Sequence, residues 1–118
     1  MSTKTKAELA EAVLRHLTVI DATESPDSDD EAHVIDAYEN KFQEIRAHGV
    51  NLTYWKRDSI PGEVFLILRD LVALEVMPAF GQPINAADKE AAEQIIFKRL
   101  RRHVSTQSSG LPVRATYF

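Results

Sequence analysis

Residues Ser59–Gly81 read SIPGEVFLILRDLVALEVMPAFG, and what this stretch becomes decides the fold. Its helix breakers lie at its ends. Pro61 stands where a first-turn proline is tolerated, with Ser59 or Ile60 as the cap, and Pro78 with Gly81 stops the run. Wound at about 100° per residue, the segment has apolar side chains all round. Val64, Leu68 and Leu71 face one way, Leu66, Ala73 and Met77 a second, and Phe65, Val72 and Val76 a third. A helix apolar on every side is one enclosed by neighbours. The stretch is therefore expected to be the central helix of an all-α protein. Its internal charges, Glu63, Arg69, Asp70 and Glu75, include no opposite-sign pair three or four residues apart, so their partners must come from other elements.

Three further helices are legible around it. Thr5-Lys6-Ala7-Glu8 is a capping box, after which Leu9, Val13 and Leu17, with Ala10 and Leu14, form one apolar face. The acidic loop Asp21–Asp30 leads to a second box, Ser28 with Glu31, and a helix running to about His48. Its expected buried stripe is Ile35, Tyr38, Phe42 and Ile45, and Gly49 sits at the left-handed stop. Asn85 with Asp88 caps a last helix to about Val104, with Ala92, Ile95, Ile96 and Leu100 on its apolar face and Lys98, Arg101 and Arg102 opposite. Between the second and third helices, Val50, Leu52 and Tyr54 alternate with polar neighbours and Trp55 in a short extended loop. After Ser108, Ser109, Gly110 and Pro112, the residues Leu111, Val113, Ala115 and Tyr117 alternate as a strand would, with no hairpin partner nearby. The expectation is a small four-helix bundle over residues 1–105, followed by an extended C-terminal arm over 106–118.

Composition narrows the class. The chain has 118 residues, 44% hydrophobic and 27% charged, which suits one soluble domain with a single core. No run approaches the roughly 20 apolar residues of a membrane span. MSTKTKAELAEA has no apolar secretion core, and without cysteine a cytoplasmic folding environment is expected. The net charge of −4 is uneven: residues 1–50 hold 11 acids against 5 Lys/Arg, whereas 51–118 hold 7 against 9. Such polarity suits different partners at two ends, or copies packed head to side; it equally suits acids at helix starts and bases at helix ends.

Chemistry-bearing patterns are few. There is no phosphate-binding glycine loop, no nucleophile elbow and no histidine pair on one helical turn, so neither an enzyme nor a cofactor is expected. Asp27, Asp29 and Glu31 alternate as calcium ligands do, yet the glycine and distal glutamate of an EF-hand are missing; a solvated loop at a positive helix end is favoured. Lys98, Arg99, Arg101, Arg102 and His103 suit phosphate contacts as well as they suit a helix C-terminus. In the arm, Leu111, Val113, Arg114, Tyr117 and Phe118 are the residues expected to add as a strand to another chain. Tyr54, Trp55, Lys56 and Arg57 form a candidate interface loop, and Arg69, Asp70 or Glu75 are expected to meet a neighbouring copy.

Taken together, these pieces resemble the head-to-tail adaptor proteins of tailed bacteriophages, the head completion, connector or tail accessory factors. The resemblance rests on Thr5-Lys6 with Leu9, Leu14-Arg15-His16-Leu17, the acidic loop before a helix ending near Gly49, Trp55, Ile60-Pro61 and Phe80-Gly81. It implies a virion neck protein assembled in the host cytoplasm. Such a protein forms a homo-oligomeric ring, dodecameric in this family, beneath the portal protein. The ring extends the DNA channel, touches packaged DNA without sequence preference, and is a platform for further neck and tail proteins. The alternative is a small nucleic-acid-binding regulator that uses the basic face of the last helix, with Lys98, Arg101 and Arg102 on DNA.

Overall fold

The computed structural model describes residues 3–21, 23–47, 56 and 58–109, for 104–109 the backbone alone. Among them are four α-helices: α1 (Lys6–His16), α2 (Ser28–Ala47), α3 (Gly62–Val76) and α4 (Ala86–Ser109). Two-residue strands β1 (Thr3–Lys4) and β2 (Ile60–Pro61) pair antiparallel, Thr3 opposite Pro61 and Lys4 opposite Ile60. The expected all-α bundle is thus the observed architecture. The strand pair was not foreseen. Gly49, the alternating run as far as Trp55, Arg57 and the whole of Leu111–Phe118 lie outside the described residues.

α3 is the central element and packs against α1, α2 and α4. Val64, Phe65, Ile67, Leu68, Leu71, Val72, Ala73 and Val76 are all buried in it. Each of these side chains larger than alanine contributes about 1.5–3 kcal/mol when withdrawn from water, before entropy is counted. The enclosure leaves one line open, where Leu66 is 55% exposed. The start of α3 also departs from expectation. Pro61 is extended (φ −61°, ψ 140°) and occupies the cap position with no side-chain hydrogen bond, so neither Ser59 nor Ile60 caps the helix. Tertiary pairing explains the shift. Ile60 is fully buried beside Lys4, and just before it Asp58 Oδ1 accepts the Lys6 backbone N–H at 2.9 Å.

At the other end α3 tightens into a 3₁₀ turn over Met77–Phe80, because Pro78 has no N–H to offer the helix. Gly81 then takes the left-handed φ of +77°, where a Cβ would be strained, and its N–H donates to Pro78 O at 3.2 Å.

The flanking helices follow their apolar faces. In α1 the capping box is present, with Glu8 N–H donating to Thr5 Oγ1 at 3.1 Å and Thr5 N–H to Glu8 Oε1 at 2.9 Å. Leu9, Ala10, Val13 and Leu14 are buried behind it. In α2 the cap is Asp27 rather than Ser28: Asp27 Oδ1 accepts the Asp29 N–H at 2.8 Å, and Ser28 is already helical. Its buried face is Val34, Ala37, Tyr38, Lys41, Phe42 and Ile45, with Ile35 only partly covered. In α4 Asn85 and Asp88 cap as expected, Asn85 Oδ1 accepting the Asp88 N–H at 2.8 Å. The apolar face of α4 is rotated from the expected one. Ile96, Phe97 and Leu100 are buried, while Ile95 is 61% exposed and Ala92 half-buried. α4 also continues to Ser109, past the expected end near Val104 and across the expected domain boundary at 105/106.

Candidate functional site

The buried side of α4 carries Glu93, which meets a cation on α2. Lys41 lies on the apolar stripe of α2, and its side chain is only 7% exposed. A cation so placed requires partners. Its Nζ donates to Glu44 Oε1 at 2.6 Å on the same helix and to Glu93 Oε2 at 2.7 Å on α4, and pairs with Glu75 Oε1 at 3.2 Å on α3. Lys89 of α4 donates to the same Glu75 oxygen at 3.2 Å. One ammonium thereby ties three helices. Burial alone would lower the Lys41 pKa, but the hydrogen bonds to Glu44 and Glu93 outweigh it and hold the amine well above its ordinary range. A catalytic lysine needs the opposite shift. Burial pushes Glu75 upward, and hydrogen bonds from Lys89 and Lys41 overcome this, leaving its carboxyl below the usual range.

Around this cluster opens a cleft of about 420 Å³ between α2, α3 and α4, with His33, Asp36, Asn40 and Glu44 along its α2 wall. Among the described residues, no group of three or more histidine, aspartate or glutamate side chains can hold a metal ion. No described histidine is hydrogen-bonded to a hydroxyl or a carboxylate. His33 packs edge-on against Phe80 with centroids 5.9 Å apart, His16 Nε2 lies 3.9 Å from Asp70, and His103 Nε2 is buried without a hydrogen-bond partner.

The helix charges expected to need a neighbouring copy find partners within the chain. Arg69 donates to Asp70 Oδ1 through Nε at 3.1 Å and Nη2 at 2.9 Å, and Asp70 Oδ2 also faces Arg99 at 3.9 Å. Glu75 meets Lys41 and Lys89. Arg69 is thus partnered by its neighbour Asp70 on α3 itself, contrary to the expectation that partners come from other elements, while α4 brings Arg99 to Asp70 and α2 and α4 bring Lys41 and Lys89 to Glu75, so none of the three requires a neighbouring copy for its charge. Lys98, Arg101 and Arg102 are exposed on α4 as expected, with Arg99 beside them. Of the candidate interface loop only Lys56 is described; it is exposed and bridges antiparallel to Ser59. Tyr54, Trp55 and Arg57, like the arm residues Leu111, Val113, Arg114, Tyr117 and Phe118, lie outside the described residues.

Sequence reasoning missed the Lys41 cluster. The signal was present: Lys41 falls on the stripe containing Tyr38, Phe42 and Ile45, and Glu93 on the one containing Ile96, Phe97 and Leu100. Charges on two apolar faces are natural partners. Compared with protein-family models, with curated proteins and with solved structures, the chain matches none. No helix among the described residues is long and apolar enough to cross a membrane.

Proposed function

We propose that this chain is a non-enzymatic virion assembly protein. It forms a ring beneath the portal of a tailed bacteriophage, joins head to neck and tail, extends the DNA channel and helps to retain packaged DNA. The observation that carries the reading is the placement of charge along α3. His33 rests on Phe80, so the acidic start of α2, with Asp27 and Asp29 exposed, sits at the C-terminal end of the central helix. Arg99 and Arg102 border Ile67 toward its other end. Thirteen residues of helix and 3₁₀ turn, about 20 Å, separate these two levels. A rigid body with opposite charge at its two ends favours heterologous contact between copies, and such contacts close into rings when the rotation permits. The four-helix fold and the cationic Lys41, saturated with carboxylates, suit a scaffold better than a catalyst.

The test is the mass of the purified full chain, alone and mixed with portal rings from the phage whose genome encodes it. A ring on the portal is the expected result. Monomer only, with no binding to portal, overturns the reading.

A further inference from the structure

Among the described residues, Leu66 on α3 and Ile95 on α4 are the two large hydrophobic side chains left exposed. They share one side of the molecule. Leu66 lies one turn from Asp70 and Ile95 one turn from Arg99, and Asp70 Oδ2 faces Arg99 at 3.9 Å. Asp70 Oδ1 lies 3.9 Å from His16, which marks this as the side toward α1; Glu75 and Glu93 turn the other way, to Lys41 on α2. Leu66 and Ile95 thus flank one open strip of the α3–α4 pair. A third group on this side lacks a donor. Glu63 precedes Leu66 by three positions, and its Oε1 is buried without a hydrogen-bond partner among the described residues.

Two exposed side chains offer far less than the roughly 800 Å² per partner of a stable interface between separate chains. A tethered occupant needs less, because its effective concentration is already in the millimolar range. The sequence supplies one. α4 ends at Ser109, and residues 110–118, GLPVRATYF, follow it outside the described residues. Gly110 stands where a chain leaving a helix most readily reverses. Ile67 borders Arg99 and His103, so α3 and α4 run antiparallel here and Leu66 is level with about residue 101 of α4. Measured back from Ser109, Leu66 is then about 12 Å away along the helix and Ile95 about 21 Å. A chain returning from Gly110 at about 3.3 Å per residue reaches the first level at Val113 and the second at Tyr117. Those two residues have the same parity, so an extended segment presents both to one side, with Arg114 and Thr116 on the other.

We propose that in the free protein residues 110–118 fold back along α4 and dock on their own chain, Val113 against Leu66 and Tyr117 against Ile95, with a main-chain N–H of the segment donating to Glu63 Oε1. The apolar residues expected to add as a strand to another chain are thereby occupied at home. Docking concerns the single chain and does not rest on ring assembly, so a protein that ignores the portal still tests it. Seated by two side chains, the segment adds little to global stability, and proximity reports it better than unfolding.

The chain has no cysteine, so a pair introduced into the full chain forms a single disulfide under mild oxidation. Ile95→Cys/Tyr117→Cys is compared with Gln94→Cys/Tyr117→Cys, whose tether is nearly the same length but whose exposed position on α4 is turned about 100° away. The Ile95 pair should close at least about tenfold faster than the Gln94 pair, since a seated residue exceeds the effective concentration of a free tether. The product should have the mass of one chain at every protein concentration. Adding Leu66→Ser should slow closure toward the Gln94 rate at unchanged helix content by circular dichroism. In the unsubstituted chain, nuclear Overhauser contacts should join the Tyr117 ring to the Ile95 methyl groups. Equal rates for the two pairs, a product of two linked chains whose yield rises with concentration, indifference to Leu66→Ser, or no Tyr117–Ile95 contact in the unsubstituted chain each overturns the proposal.

Discussion

Lys41 shows how one residue constrains a bundle. A cation 5% exposed within a helix–helix junction is tolerated only because three carboxylates surround it, one from its own helix and one from each of α3 and α4. Removing the cation would leave Glu93, whose side chain is 17% exposed, facing a poorly solvated gap. Breaking such a cluster costs several kcal/mol where its remaining charge is buried. Glu44 and Glu75 are about 40% exposed and stay partly hydrated, so Lys41→Met should cost about 3 kcal/mol in urea unfolding at neutral pH. Adding Glu93→Gln removes the stranded charge, and the double variant should be more stable than the summed single effects by about 1–2 kcal/mol. Additivity within about 0.5 kcal/mol would show that the two residues are not coupled as the geometry requires.

At the level of the element, α4 shows where reading a periodic pattern goes astray. Ile95 and Ile96 are adjacent, and an apolar stripe drawn through Ala92, Ile95 and Ile96 looks as good as one through Ile96, Phe97 and Leu100. The second is the buried one: it takes Phe97, the largest apolar side chain of the helix, out of water, and it sets Glu93 beside Lys41. Phe97→Ala is expected to cost about 3–5 kcal/mol through the cavity it leaves. Ile95→Ala should stay within about 0.5 kcal/mol of wild type, as exposed positions do. Thermal and urea unfolding of the two variants decides the register, and a larger loss at Ile95 would restore the first stripe. The same competition shifted the cap of α2 by one residue. Asp27 and Ser28 are both good caps, and the box chosen from sequence placed the first turn one position late.

For the whole molecule, acid stability follows from carboxylates whose charged form the fold favours. At Glu8 the backbone hydrogen bond from Thr5 is the main cause, and at Asp21 that from Thr23; at Glu75 burial opposes, and Lys89 with Lys41 prevails. All three titrate lower in the folded chain than in the unfolded one. The unfolded state therefore binds more protons near their ordinary values of 4.5, 3.8 and 4.5, and stability rises with pH there. The stability these groups confer is complete above those values and is lost as pH falls through the folded pKa values. Lys41, raised in the fold, contributes in the opposite sense: its share is complete below the ordinary 10.5 and is lost only as strong alkali titrates the folded amine. Urea midpoints should therefore form a plateau through neutrality and fall on acidification below about pH 4.5, less steeply for Glu75→Gln than for wild type. A midpoint that rises on acidification would contradict the assigned sign.

Local signals were enough for the bundle itself. The capping box at Thr5, the Asn85–Asp88 cap, the glycine stop at Gly81 and the apolar density of α3 each depend on residues a few positions apart, so sequence alone determined four helices with the third at the centre. Contacts between distant residues were decided only by the tertiary structure. The pairing of Thr3–Lys4 with Ile60–Pro61 is one, and it displaced the start of α3. Lys41 bringing Glu75 and Glu93 to one ammonium is another, and it goes with the buried register of α4. Those partners lie 34 and 52 residues apart in the chain, beyond the reach of any helical or strand period. What joins them is the cost of an unpaired buried charge, and that cost exists only once the helices have packed.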